Sequence, residues 1–307
     1  MARYFVHKAV EFSALSAARK KAIGAAVISD LAATYDLQYK YDGCNVIVKL
    51  LDMQHFEIIS RTGEKVRSMD HVGRRLLNLF RDALQRGNTF AVLGEAWAKG
   101  HPQKRISGWF RKHENSPHLQ MAAFDLLPLD DFEAGACAHK FGQRYDTLSV
   151  WTRGFTESDT VFLCPLFLAG SYGDPMEHAD ALCAHGDKRA FDGAVLRDPN
   201  AGWKAGSGSD GAIIKVKPRV SFDLRIVGVE EGEGKYAGTT GKLVLQFADG
   251  AVVKAAGGTN AERAGWFADP SSIVGKIGEV VCLERMASGE LREPVFKGVR
   301  FDKVDID

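Results

Sequence analysis

Little in this chain points to a membrane or to an oxidising compartment. No stretch approaches the roughly eighteen consecutive apolar residues that a membrane-crossing helix needs. The opening MARYFVHKAVEF lacks the apolar centre and small-residue cleavage site of a secretory signal. Both absences predict a soluble, intracellular, cytoplasmic chain with no membrane partner. The five cysteines, Cys44, Cys137, Cys164, Cys183 and Cys282, are odd in number and contain no CxxC pair, which argues against a disulfide framework or a structural zinc site. His178 and His185 have no third ligand spaced to join them, so they do not read as a metal site. The formal net charge of +1 neither proclaims nor excludes a nucleic-acid partner, because binding depends on where cations sit rather than on their sum. No internal repeat or low-complexity tract is present.

What is there is globular: 307 residues, 45% hydrophobic and 26% charged, enough for one large domain or two ordinary ones. The alanine-rich stretch from Ser13 to Thr34 predicts one helix. A second, amphipathic helix is predicted from Asp70 to Arg86, with Val72, Leu76, Leu79, Phe80 and Ala83 on one face and Gly87-Asn88 as its end. Extended segments are predicted at Cys44–Leu51, His55–Ser60, Thr89–Trp97, Leu119–Leu127, Thr160–Leu168, Phe191–Arg197 and Ala212–Lys217, with a helix over Asp174–His185. Residues 98–120 read as a polar loop with Lys104, Arg105, Arg111 and Lys112 around Trp109 and Phe110. A nucleic-acid-facing loop and a solvated loop with one anchoring tryptophan fit it equally. At Pro218 the composition changes to short alternating strands separated by glycine turns, as a small Greek-key barrel such as an OB-fold requires. The predicted domains are residues 1–218 and 219–307.

The chemistry centres on the stretch QYKYDGCNVI, where Lys40 stands just before a predicted strand. A surface lysine, with a pKa of about 10.4, is a poor nucleophile at neutral pH, whereas one held in a dry pocket among cations loses its proton more easily. On these residues alone, an ordinary charged residue leading into a turn at Asp42 and Gly43 is the better reading. Lys215 and Lys217 alternate on their strand and so point to one face, where they would help depress the pKa of Lys40 if near it; taken alone, a solvated edge-strand face is the better reading. Glu95 and Asp192 each fall within a predicted strand, an expensive place for a carboxylate unless it is paired or near a metal.

Taken in order, these motifs form a series: Lys40-Tyr41-Asp42-Gly43, Ser60-Arg61-Thr62-Gly63, Gly94-Glu95, Phe124-Asp125, Asp192-Gly193 with Arg197, Lys215-Val216-Lys217-Pro218 and Arg300-Phe301-Asp302-Lys303. The series runs from residue 38 to 303 and resembles the covalent nucleotidyltransferases, more closely the small ATP-dependent DNA ligases of the bacteriophage type. That resemblance implies an α+β fold: a nucleotidyltransferase domain of antiparallel sheets with flanking helices, then an OB-fold β-barrel. It implies a monomer that seals 3′-hydroxyl, 5′-phosphate nicks in duplex DNA through a lysyl-AMP and a DNA-adenylate. ATP would be the donor, and Mg2+ the metal, held by Asp192 with Glu95.

In that reading Lys40 is the nucleophile and Lys215 and Lys217 assist it at the α-phosphate. Gln38, Tyr39, Asp42, Gly43 and Asn45 surround the nucleotide, with Phe124 on the adenine and Glu95 at the ribose. Arg61 holds the ribose or the nick phosphate, Arg197 belongs to the second acidic motif, and Arg300 and Lys303 meet the departing pyrophosphate. DNA is gripped through Arg61, Arg105, Arg111 and Lys112. Three positions depart from the family pattern: Asn45 where DNA ligases often carry arginine, Asp192 where glutamate is usual, and Gln38 where glutamate is frequent. Asn45 keeps an RNA ligase or RNA-capping nucleotidyltransferase as the rival enzyme. A non-catalytic DNA-end-binding protein is the rival from another class.

Overall fold

The computed structural model describes residues 5–185, 191–206, 208–282, 284–286 and 288–307, without the side chains of Ala184, His185 and Glu284. The chain divides into two compact units, Met1–Lys217 and Pro218–Asp307.

The first unit begins with β1 (Val10–Glu11), α1 (Ala17–Ala22), β2 (Asp36–Tyr41), β3 (Cys44–Leu50) and β4 (Phe56–Ser60). It continues with α2 (Asp70–Leu79), α3 (Arg81–Gln85), β5 (Phe90–Trp97), α4 (Gln103–Phe110) and β6 (Gln120–Pro128). Next come α5 (Leu129–Ala134), β7 (Ala136–Cys137), α6 (Phe141–Trp151), β8 (Val161–Leu163), β9 (Leu166–Phe167) and α7 (Pro175–His185). It closes with β10 (Phe191–Arg197), β11 (Trp203–Lys204) and β12 (Ile213–Val216). Two five-stranded sheets result, one in the order β1-β12-β10-β2-β9 and the other β4-β3-β5-β6-β8. The chain crosses from the first to the second at Asp42-Gly43. There a Cβ on residue 43 would lie 2.1 Å from the Ala96 carbonyl oxygen, so only glycine lets the strands approach.

The second sheet is buried on both faces. Val46 and Val48 of β3 pack with Leu76, Phe80, Val92 and Leu126 on one side, and Ile47 packs with Leu93, Leu127, Phe132 and Trp203 on the other. The first sheet rests on Leu31, Leu37, Leu196 and Ile214.

Several expectations change in detail. Lys40 lies inside β2 rather than ahead of a strand, because residues 36–41 pair with β10. The helix predicted over 13–34 is α1 followed by a short 3-10 turn, Ile28–Ala33, after a break near Gly24, whose φ of 72° ends the helical path. The helix predicted over 70–86 is two, divided at Phe80. The polar stretch 98–120 contains α4, and α5 and α6 form where no element was predicted. The strand predicted over 160–168 is two short ones on either side of Pro165, which has no N–H to donate; β8 joins β6 in one sheet and β9 joins β2 in the other.

The second unit contains β13 (Val220–Glu231), β14 (Thr240–Gln246), β15 (Val252–Gly257), α8 (Asn260–Ala268), β16 (Ile277–Cys282), a ribbon of β17 (Glu284–Arg285) with β18 (Leu291–Arg292), and β19 (Val295–Val299). Five of these strands close a barrel in the order β13-β14-β15-β19-β16. Closure depends on the length of β13, whose first half, Val220 to Arg225, pairs with β16 and whose second half, from Arg225 on and across an irregularity at Ile226–Gly228, pairs with β14. Leu224, Ile226, Leu243, Leu245, Val280 and Phe296 fill the interior. Among the described residues no helix is long and apolar enough to cross a membrane.

Candidate active site

A cavity of about 990 Å³ in the first unit is lined from both sheets. Gln38 and Lys40 alternate along β2, and Lys40 donates from Nζ to Asp192 Oδ1 at 2.6 Å. Lys217 Nζ lies 3.3 Å from the other oxygen of the same carboxylate. Asp192 reaches this position from an irregular part of β10, where the register shifts between Phe191 and Ala194. Gly193 makes that bend possible: its φ is 131°, and a Cβ there would lie 2.1 Å from the Val216 carbonyl oxygen. Lys215 also lines the cavity, and its Nζ lies 3.4 Å from Glu11 Oε1.

The electrostatics correct one expectation. Burial pulls the Lys40 pKa down, but Asp192, Glu95 and Asp42 outweigh it, so the ammonium is held above its ordinary value rather than below. The resting lysine is a protonated partner of Asp192. Glu95, opposite Asn45 in the β3–β5 register, is pushed up to about 8 by burial and by the neighbouring Asp192 and Asp42 charges, against the pull of Lys40 and the Gly43 N–H. The charges of Asp192, Glu95 and Asp42 thus all act on Lys40. No three acidic, histidine or cysteine side chains converge as a ready metal site among the described residues. Glu95 and Asp192 fit a hard divalent cation whose remaining ligands come from phosphate oxygens and water.

The other predicted residues fall into three groups. Gln38, Gly43, Asn45, Arg61 and Phe124 line the cavity with Lys40. Gln38 is buried and donates its amide N–H to the Phe124 carbonyl at 3.5 Å. The Asn45 amide oxygen is buried with no hydrogen-bond partner among the described residues. Tyr39 lines the cavity too, but its ring is engaged by Phe167, His178 and Phe191. Asp42 is buried beside the crossing.

Arg197 forms the second group. Its guanidinium is 6% exposed and donates to Asp125 Oδ2 at 2.5 Å, while Arg144 Nε donates to Asp125 Oδ1 at 2.8 Å. Burial alone would raise the Asp125 pKa, but the two guanidiniums bring it below its ordinary value. Arg197 therefore braces the strand carrying Phe124, over whose ring its guanidinium also lies at 5.7 Å. Arg144, on α6, left no signal in the sequence because the pairing spans 19 residues between elements whose packing is not readable from either one.

The third group holds the basic residues expected to meet DNA or pyrophosphate. Arg111 lines it, but the exposed Arg105 and Lys112 do not; Arg105 lies over the Trp109 ring at 5.4 Å. Arg300 and Lys303 belong to the second unit, where both face Asp223, at 3.1 and 3.4 Å. Residues Val6 to Ala9 line the cavity and were not anticipated, since they precede the two-residue β1 and belong to no helix or strand whose period could show.

A lysine in a cleft between two largely antiparallel sheets, with Lys215 on β12 two strands away and Lys217 just beyond its end, and a separate five-stranded barrel make up a nucleotidyltransferase fold followed by an OB-type domain. The sequence matches the ATP dependent DNA ligase domain over residues 16–217, and the chain belongs to that family. Among solved structures, Pmar-Lig_PreS3 superposes with a TM-score of 0.75 at 18% identity, covering 97% of this chain and 68% of that one. A Lig E DNA ligase superposes with a TM-score of 0.65 at 18% identity, covering 96% and 98%. The ATP-dependent DNA ligase of bacteriophage T7, in complex with ATP, gives a TM-score of 0.52 at 20% identity, covering 96% and 98%. At these identities the likeness is one of fold. Among curated proteins none matches the sequence.

Proposed function

We propose that the chain seals nicks in duplex DNA, using ATP to adenylate Lys40. The reading rests above all on Lys40 sharing Asp192 with Lys217, in a cavity that Glu95 and Lys215 also line. Lys40 gives up its proton to water, and the freed amine attacks the α-phosphorus of ATP. A P–N bond forms, the P–O bond to the β-phosphate breaks, and pyrophosphate leaves with the electron pair. Lys217 and Lys215 neutralise charge gathering on the phosphate oxygens in a site that excludes much of the solvent. A divalent cation such as Mg2+, held by Asp192 and Glu95 with phosphate oxygens, would supply further charge neutralisation. The AMP then passes to the 5′-phosphate of the nick, and the 3′-hydroxyl displaces it as the new phosphodiester forms. Positioning and charge neutralisation, rather than acid–base chemistry on the protein, carry most of the rate.

The Asn45 amide favours a second reading, in which RNA strands are joined instead. Incubation with α-labelled ATP and Mg2+ beside a Lys40→Ala variant tests the first step: the parent takes the label on an acid-stable lysine adduct and the variant takes none. Labelled GTP in place of ATP, and nicked RNA in place of nicked DNA, separate the rivals. A parent that takes no label from either nucleotide supports a non-catalytic end-binding protein.

A further inference from the structure

Residues 5–11 take no part in the roles above, yet they are tied into the cavity at every step. The Phe5 N–H donates to the Arg61 carbonyl at 2.9 Å, and the Gly206 N–H donates to the Val6 carbonyl at 2.8 Å. The Lys204 N–H donates to His7 Nδ1 at 3.3 Å, and His7 Nε2 lies 2.9 Å from Asp210 Oδ2. Beyond this, β1 runs parallel to β12, with Val10 opposite Ile214 and Glu11 opposite Lys215.

The segment therefore runs from the turn after β4, an edge strand of one sheet, to β1 at the edge of the other, and it closes the cleft between them. Two glycines leave room for it. A Cβ at Gly63 would lie 2.6 Å from the Phe5 ring, and one at Gly208 would lie 2.5 Å from the Lys8 carbonyl oxygen. The His7 side chain is 2% exposed, so both ring nitrogens need partners. Since Nδ1 accepts from a backbone N–H, the proton is on Nε2, which donates to Asp210. This neutral imidazole fastens the segment to the loop that leads into β12 and Lys215.

We propose that residues 5–11 form a fixed wall of the nucleotide site, and that His7 is a positioning residue setting the affinity of that site for the nucleoside triphosphate. The proposal rests on the adenylation reading above. His7 bonds to Asp210 and to the Lys204 backbone, outside the Lys40–Asp192–Lys217 group, so loosening it releases the wall and the Glu11–Lys215 pair without removing a reacting atom. Its signature is a change in half-saturating ATP with little change in the saturating rate.

The test is the rate of label uptake from labelled ATP as a function of ATP concentration. His7→Ala is expected to raise the half-saturating concentration by about ten-fold or more while changing the saturating rate by less than about three-fold. His7→Asn, whose amide can both accept from Lys204 and donate to Asp210, is expected to restore most of the loss. Should His7→Ala fail to fold, Asp210→Ala, which leaves the imidazole in place, is expected to move half-saturation in the same direction. An unmoved half-saturation, or a saturating rate that falls in proportion, overturns the proposal. A parent that takes no label overturns the adenylation reading itself, whereas a labelled parent with unmoved variants overturns only the role of His7.

Discussion

Lys40 and Asp192 stand 2.6 Å apart, and the second oxygen of Asp192 faces Lys217 at 3.3 Å, so one carboxylate separates two cations that would otherwise repel. On the adenylation reading proposed above, the contact stores the amine in its unreactive form, and the reaction requires Asp192 to turn from the amine to another cation. Asp192→Asn is therefore expected to slow single-turnover label uptake from ATP by about 100-fold or more. Asp192→Glu, which keeps the charge and adds one methylene, is expected to stay within about ten-fold of the parent. An asparagine variant as fast as the parent would show that the carboxylate does no more than park the lysine.

Asp125 lies under the cavity between Arg144 and Arg197, with none of its side chain exposed. Asp125→Ala leaves two buried guanidiniums without a counter-charge and is expected to cost about 3–5 kcal/mol in urea unfolding. Arg144→Met leaves the one-to-one pair with Arg197 and is expected to cost less. The sign with pH follows from the lowered native pKa. The contribution is complete above the unfolded value of about 3.9 and is lost as pH falls through the native one. If the two variants lose the same stability, the carboxylate is not what balances both arginines.

The fold class was legible because the strands that build both sheets and the barrel are either mostly apolar, like β3, or alternate apolar with polar residues, like β13, and are punctuated by glycine and proline. The gathering of Lys40, Glu95, Lys215 and Lys217 around one cavity, with Asp192 paired to two of them, was legible only through the ordered motif series, since no single spacing implies it. Three things were not. The charge on Lys40 depends on distances to Asp192 and Glu95 that periodicity does not contain. The buried Arg197–Asp125 pair is shared with Arg144, which reaches Asp125 from a helix with a weak apolar face. The wall made by residues 5–11 is held by backbone bonds and one histidine, and neither leaves a pattern in residue type.

His7 also predicts a pH effect on stability. Burial lowers its pKa more than Asp210 raises it, so the folded chain keeps the imidazole neutral while the unfolded chain takes up a proton near pH 6.5. The contribution is present above about pH 6.5 and shrinks as pH falls from there, levelling off below the native value. The difference in urea midpoint between the parent and His7→Asn, followed from pH 8 to pH 5, should narrow or reverse as the pH drops. Parallel curves would mean that the imidazole is not held neutral.

The segment around α4 makes the last prediction. Residues 99–113 contain no aspartate or glutamate, and Lys104, Arg105, Arg111 and Lys112 are all exposed. At its centre the Trp109 ring stacks on His118 at 5.0 Å and meets His101 edge-on at 4.8 Å, with the Arg105 guanidinium 5.4 Å from it. The ring packing holds the cations on a defined surface instead of a loose loop, which is what contact with a regular phosphate backbone requires. Each duplex phosphate neutralised adds about 0.9 to the slope of log affinity against log salt. Arg105→Ala combined with Lys112→Ala is therefore expected to weaken binding to a nicked duplex and to lower that slope by about two between 50 and 200 mM salt. Arg111 is left in place because it lines the cavity, and label uptake from ATP, which involves no DNA, serves as the control. A double variant with the parental slope would assign the DNA grip to another surface and leave the Trp109 cluster as local packing.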